Sequence, residues 1–251
     1  MTCLASHRDS RVFRRLRLRL IGVILMAKMA KLSQRALVEF IGTLIFVFVG
    51  AGSVVAVQYL GIGGSGLLLI ALANGIGLAL AITFAMNISG GHMNPAVTIS
   101  MLITKNIKSL DALAYIVAQV LGATVGALLL VALMPSAAGI AVSYGAPSLA
   151  PSVGLLQGIA LEAVMTAFLV FMVFGTAVDK RAPKIGGFGV GLIVVLDVIV
   201  GGPLTGAAMN PARAIGPMIA AMSFSNWYVY WIGPIIGAVV AAVIYSYCIQ
   251  K

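Results

Sequence analysis

Asn-Pro-Ala occurs twice in this chain, inside SGGHMNPAVT (89–98) and again inside TGAAMNPARA (205–214). Asn is a natural helix cap, and Pro at the first helical position loses no hydrogen bond, so each tripeptide reads as a helix start. The surroundings decide what kind of start. The chain is 61% hydrophobic and 9% charged, whereas a soluble domain carries about a quarter charged residues. It reads as an integral membrane protein, and both helix starts then lie within hydrocarbon. Non-helical backbone at that depth is tolerated only inside protein or along a water-filled cavity. The two motifs therefore restrict the chain to folds that build such a place.

Apolar stretches of about 20 residues, enough to cross roughly 30 Å of hydrocarbon, fall at 36–57, 67–87, 111–133, 155–178, 185–203 and 227–249. Two further segments, 94–103 and 210–220, are too short to cross. They are expected to enter from opposite sides and stop. Lys105, Lys108, Lys180, Arg181, Lys184 and Lys251 fall in alternate connections or at the end, while the gaps 58–66 and 134–154 carry no charge. By the positive-inside rule this predicts a multi-pass protein of the cell membrane with both termini cytoplasmic.

The halves repeat. Glu39 and Thr43 (VEFIGTLIFVF) correspond to Glu162 and Thr166 (LEAVMTAFLVF), and Asn94 corresponds to Asn210. Gln119, Gly122 and Gly126 correspond to Pro234, Gly237 and Ala241. Three spans per half (36–133 and 155–249) place the second half upside-down relative to the first. The expected fold class is all-α: six transmembrane helices plus two re-entrant half-helices in an inverted-topology repeat.

The net charge of +10 is concentrated at one end, with nine of the sixteen basic residues at or before Arg35. Residues 1–35 read as a basic cytoplasmic extension ahead of a channel domain at 36–251. The extension is expected to be disordered or to precede the true start, for which Met26 and Met29 serve equally well. Its basic stripe reads as a positive-inside flank beside lipid rather than a nucleic-acid surface. The apolar run LIGVILMA lacks a signal-peptidase pattern. Cys3 and Cys248 give no disulfide framework, and His7 and His92 cannot build a metal site. No nucleophile elbow, phosphate loop or paired carboxylates occur, so no enzyme activity, cofactor or metal is expected.

Two Asn-Pro-Ala copies in matching contexts, Arg213 after the second, six spans and the Glu-x-x-x-Thr pair together resemble the aquaporin (major intrinsic protein) family. The likeness runs from about residue 37 to 247. The stretches NISGGHMNPAVT and GGPLTGAAMNPAR are most similar to its archaeal and plant-vacuolar branches. The resemblance implies a right-handed bundle that passes water passively and excludes ions and protons, with a pore in each subunit of a homotetramer. It places Asn94, Pro95, Ala96, Asn210, Pro211 and Ala212 at a central constriction. Each half-helix start carries roughly half a positive charge, and two meeting at mid-membrane oppose cations, a barrier described for aquaporin-type pores. Glu39 and Glu162 are implied to hold the re-entrant loops. A proton relay in a secondary transporter is the competing reading, but neither carboxylate has a His or Lys partner.

Counting from the motifs gives the outer selectivity filter that the resemblance implies. Asn74 lies twenty residues before Asn94; Val198 and Ala207 lie twelve and three before Asn210; Arg213 follows the second motif. The family's water channels usually place an aromatic ring at the position of Asn74 and often a histidine at that of Val198. A wider ring is therefore expected, and a channel for glycerol, ammonia or dissolved gases is the alternative function. Ala214 and Met218 stand where glycerol channels carry Asp and Lys, which favours water. Ala207 stands where the family's mercury-sensitive cysteine lies, so the filter is expected to resist mercury.

Other polar residues receive plainer readings. His92 is expected to fix its loop by hydrogen bonds rather than to act as a pH gate. Asp197 is an unusual charge for a span, open between an outer-vestibule, a helix-end and an interface role. Trp227, Tyr228, Tyr230 and Trp231 read as an interfacial aromatic belt, Tyr230 and Trp231 also following the water-channel aromatic pair. Gly122 with Gly126, and Gly233 with Gly237, are small-residue pairs for close helix crossing within one subunit.

Overall fold

The computed structural model describes residues 30–183 and 185–250. The basic extension over residues 1–29, with Cys3 and His7, and the basic residues Lys184 and Lys251 lie outside the described residues. In chain order the α-helices are α1 (Leu32–Leu60), α2 (Leu67–Ala85), α3 (Pro95–Ile103), α4 (Ser109–Leu133), α5 (Ser136–Ala141), α6 (Leu155–Val173), α7 (Phe188–Thr205), α8 (Pro211–Ala221) and α9 (Val229–Ile244). No strand occurs among the described residues. Six helical segments are long and apolar enough to cross a bilayer, and the chain is a multi-pass membrane protein. At about 1.5 Å per residue, α3 and α8 span only roughly half of the hydrocarbon thickness.

The repeat seen in the sequence governs the packing. α1 lies against α4 as α6 lies against α9, and α2 meets α7 where the two halves join. The half-helices cross over: α3 packs on α9 and α8 on α4, each against the third span of the opposite half. This arrangement is the inverted repeat, and it forces the starts of α3 and α8 together. The glycine pairs sit at the tightest crossings. A Cβ at Gly126 would lie 2.7 Å from the Leu44 carbonyl of α1, and one at Gly233 would lie 2.7 Å from the Ile159 carbonyl of α6. Outward faces are apolar, with Leu80, Leu156 and Val200 exposed as lipid contact requires.

Three details extend or correct the sequence reading. α1 begins at Leu32, ahead of residue 36, and its first turn is tied to the start of α4 by the ion pair of Arg35 with Asp111 (3.0 Å). α6 and α9 each run on into a π-helical turn, Phe174–Val178 and Tyr245–Ile249, and these turns pack together through Phe174 and Tyr245, ring centroids 5.5 Å apart. Just beyond, Asp179 accepts from the Arg181 guanidinium (2.6 Å) and from the Tyr245 hydroxyl (3.3 Å). The hydrogen-bonded Arg181 guanidinium holds the Asp179 carboxyl well below the usual carboxylate range. Thirdly, Tyr230 is not part of an interfacial belt: it is fully buried, and its hydroxyl donates to the Thr205 carbonyl at 2.8 Å. Trp227 is 48% exposed and keeps a surface position.

Candidate functional site

Asn94 and Asn210 cap the two half-helices and also tie them to each other. The Asn94 side-chain oxygen accepts from the Ala96 N–H (2.9 Å), and that of Asn210 accepts from Ala212 (3.0 Å) and Arg213 (3.2 Å). The Asn94 amide donates to the Met209 carbonyl at 2.9 Å, and the Asn210 amide donates to the Met93 carbonyl at 2.8 Å. Pro95 and Pro211 occupy the first helical positions, and Ala96 and Ala212 are fully buried where larger residues would hold the tips apart. The cap residue of each helix thus bonds the backbone just ahead of the other.

That backbone is strained. Met93 and Met209 both have φ of 51°, left-handed values that non-glycine residues rarely adopt. Glu39 compensates in the first half. Its carboxylate accepts from Ser89 Oγ (2.6 Å), the N–H groups of His92 (2.9 Å) and Met93 (2.8 Å), and Gln119 Nε2 (2.8 Å). Glu162 does the same in the second, accepting from Thr205 Oγ1 (2.7 Å) and the N–H groups of Ala208 (3.0 Å) and Met209 (2.7 Å). A buried carboxylate is costly without such donors, and both glutamates are fully buried. Thr43 and Thr166 bond back to the Glu39 and Glu162 carbonyls at 2.7 and 2.6 Å, on the same helices. His92 adds a contact of Nδ1 with Thr98 Oγ1 (3.1 Å) and an edge-on packing against Tyr115.

The supporting roles of four residues escaped the sequence reading. Ser89 and Thr205 bond both their glutamate and the loop N–H two residues on, of Gly91 and Ala207 respectively (3.1 Å each). Tyr115 and Tyr230 donate to the carbonyls of Ser89 and Thr205, each at 2.8 Å. A signal for all four was present. Ser89 and Thr205 each stand five residues before the motif Asn, and each tyrosine stands four before the aligned Gln119 or Pro234.

On one side of the meeting point opens a cavity of about 310 Å³ whose wall includes Asn74, Val198 and Arg213. Ala207 is not in that wall; it is buried in the strained loop, with φ of 44°. Arg213 is 4% exposed; its Nη1 donates to the Gly145 carbonyl at 3.0 Å, and its Nε has no hydrogen-bond partner among the described residues. The connection read from sequence only as uncharged supplies much of the wall, from Gly145 to Pro151. Gly145 has φ of 78° and lies directly on Ala51, so this loop dips inward to reach Arg213. Asp197 is buried mid-helix in α7, so it marks no helix end; its Oδ2 has no hydrogen-bond partner among the described residues, and it is not in the cavity wall. No group of three or more metal-ligating side chains occurs among the described residues.

Comparison with known proteins matches residues 26–245 to the family described as Major intrinsic protein. The chain is 44% identical over 221 residues to "Aquaporin TIP1-2" of Zea mays, covering 85% of each. It is 40% identical over 228 residues to "Probable aquaporin TIP3-2" of Arabidopsis thaliana, covering 85% of this chain and 82% of that protein. The solved aquaglyceroporin of Plasmodium falciparum superposes with a TM-score of 0.79 at 25% identity, over 87% of this chain and 97% of its own.

Proposed function

This chain belongs to the major intrinsic protein family, and we propose that it is a passive transmembrane water channel, with neither catalysis nor a cofactor. The observation that carries the reading is the reciprocal bonding of Asn94 and Asn210 across the two half-helix tips. Each amide commits one N–H to the opposite loop and retains a second. Both retained donors serve a single passing water oxygen, so that water turns its hydrogens away from the constriction and the proton wire is interrupted there. The positive ends of α3 and α8 oppose cations at the same point. Pro95, Pro211, Ala96 and Ala212 stiffen and narrow the tips, and Glu39, Glu162 and His92 keep them in place.

Asn74, Val198, Ala207 and Arg213 form the outer filter in this reading, with the Arg213 guanidinium, fixed by the Gly145 carbonyl, supplying the positive charge of the cavity wall. The second reading, a broader neutral-solute channel, draws support from the filter's lack of an aromatic ring and from the likeness to an aquaglyceroporin. The channel unit is residues 36–251, with both termini cytoplasmic in the cell membrane, as the basic connections favour. Four copies assemble as a homotetramer in the bilayer, as the family resemblance implies.

Stopped-flow light scattering on proteoliposomes tests the function. A sucrose gradient should give fast shrinkage, and a glycerol gradient should give fast shrinkage with slow reswelling. Rapid reswelling selects the broader channel. Flux that saturates or follows an imposed pH gradient selects a transporter. Folded protein that does not accelerate shrinkage over empty liposomes refutes a channel open under those conditions.

A further inference from the structure

Asn74 stands in the cavity wall, yet its amide is turned into the protein. Nδ2 donates to the Ile70 carbonyl of its own helix (2.9 Å) and to the Gly50 carbonyl of α1 (3.3 Å). An amide nitrogen has two hydrogens, so neither is left for a passing solute. The side chain fits because α1 has no Cβ at Gly50. A methyl there would collide with Asn74 Oδ1, would lie 3.0 Å from Cγ, and would have Nδ2 as its third neighbour at 3.5 Å. All three neighbours belong to one side chain. The adjacent Ala51 seats Gly145, whose carbonyl holds Arg213. A run of small residues on α1 thus underlies both Asn74 and Arg213 in the cavity wall.

We propose that Gly50 is a specificity-determining residue: it forms a notch that parks the Asn74 amide outside the lumen and so sets the bore and polarity of the outer constriction. The inference rests on the reading of Asn74 as a constriction residue. Its physical basis is which partner yields when the notch is filled. α1 cannot back away freely, since a Cβ at Gly122 or Gly126 would already strike the carbonyls of Phe40 or Leu44 on its far side. The amide is the flexible end of a short side chain, and the open space beside it is the cavity of about 310 Å³. Filling the notch therefore expels the amide into the lumen, where it takes up room and presents two N–H donors. Neither effect is visible from position 74 alone, because an asparagine in the lumen and one parked against α1 have the same sequence.

The test uses the full chain and the variants Gly50→Ala, Asn74→Ala, the double Gly50→Ala/Asn74→Ala, and Asn74→Phe. Each is reconstituted, and permeability per protomer is measured for water, urea and glycerol. For the largest of these solutes that the unchanged chain conducts, Gly50→Ala should lower permeability about tenfold, equivalent to roughly 1.4 kcal/mol on the barrier. The double variant should return to the Asn74→Ala value. If Gly50→Ala yields no folded protein but the double variant does, the same coupling is read as rescue of folding. Unchanged permeation in Gly50→Ala overturns the proposal. So does a double variant that stays as impaired, or as unfolded, as Gly50→Ala, because the methyl would then act on something other than Asn74. Asn74→Phe separates this from the underlying reading. A ring that impedes the larger solutes keeps position 74 in the constriction even if the notch fails, whereas a ring without effect removes both.

Discussion

Replacing Glu162 by Gln tests how the second half-helix tip is held. The carboxylate accepts bonds from Thr205 Oγ1, the Ala208 N–H and the Met209 N–H, at 2.7, 3.0 and 2.7 Å. An amide of the same shape has one accepting oxygen instead of two. Whichever way it turns, the N–H of Ala208 or of Met209 faces an NH2 group and loses its partner. A buried N–H left unpaired costs about 1–3 kcal/mol, and converting the remaining bonds from charge-assisted to neutral costs about 1 more, so roughly 2–4 kcal/mol is lost. The loss falls on a loop where Ala207 and Met209 hold φ of 44° and 51°, strain of about 1–3 kcal/mol each that the bonds now offset. The balance between held and released loop should shift by a factor of roughly 30 or more. Asn210 would then leave its bond to Met93. Glu162→Gln should lose most of its unit water permeability in stopped-flow assays and unfold at a lower temperature in detergent. Thr205→Ala, which removes one donor and leaves the carboxylate charged, should show a smaller loss of both. A Glu162→Gln protein with unchanged water permeability and midpoint would refute the claim that this carboxylate holds the tip.

Three further outcomes are expected. Mercury should leave water flux unchanged in this chain, whose Cys248 lies on an exposed terminal turn, and inhibit it in Ala207→Cys; an Ala207→Cys protein whose water flux mercury leaves unchanged would count against the placement of Ala207 in the filter. Gly237→Leu should destabilise the fold by about 1–3 kcal/mol or more through overpacking, because its Cβ would meet the Ala163 carbonyl, whereas Gly154→Ala, with nothing within 4 Å, should be nearly neutral in the same thermal scan. The Asp179–Arg181–Tyr245 cluster should contribute stability only while Asp179 is ionised. Its depressed pKa means that the contribution is full above the ordinary carboxylate range of about 4 and fades as pH falls below it. The difference in unfolding temperature between this chain and Asp179→Asn should accordingly be constant from neutral to mildly acidic pH and shrink in stronger acid.

The sequence by itself determined the span count, the two interrupted helices and the repeat, because each depends on local properties: hydrophobic length, the capping chemistry of Asn and Pro, and self-similarity. It also pointed to Glu39 and Glu162, since carboxylates in apolar helices are conspicuous. The tertiary structure decided what those residues touch. Tyr230 reads locally as one of four interfacial aromatics, yet it is buried beneath a loop 25 residues earlier in the chain. The uncharged connection after α4 carries no motif, yet it folds inward to meet Arg213 across 68 residues. Asn74 could be placed near the outer constriction by counting, but the direction of its amide depends on a missing side chain on another helix, at Gly50. Contacts between distant segments arise only when the two inverted halves close on each other, and a residue's own neighbours in sequence carry no record of which backbone carbonyl will lie opposite it.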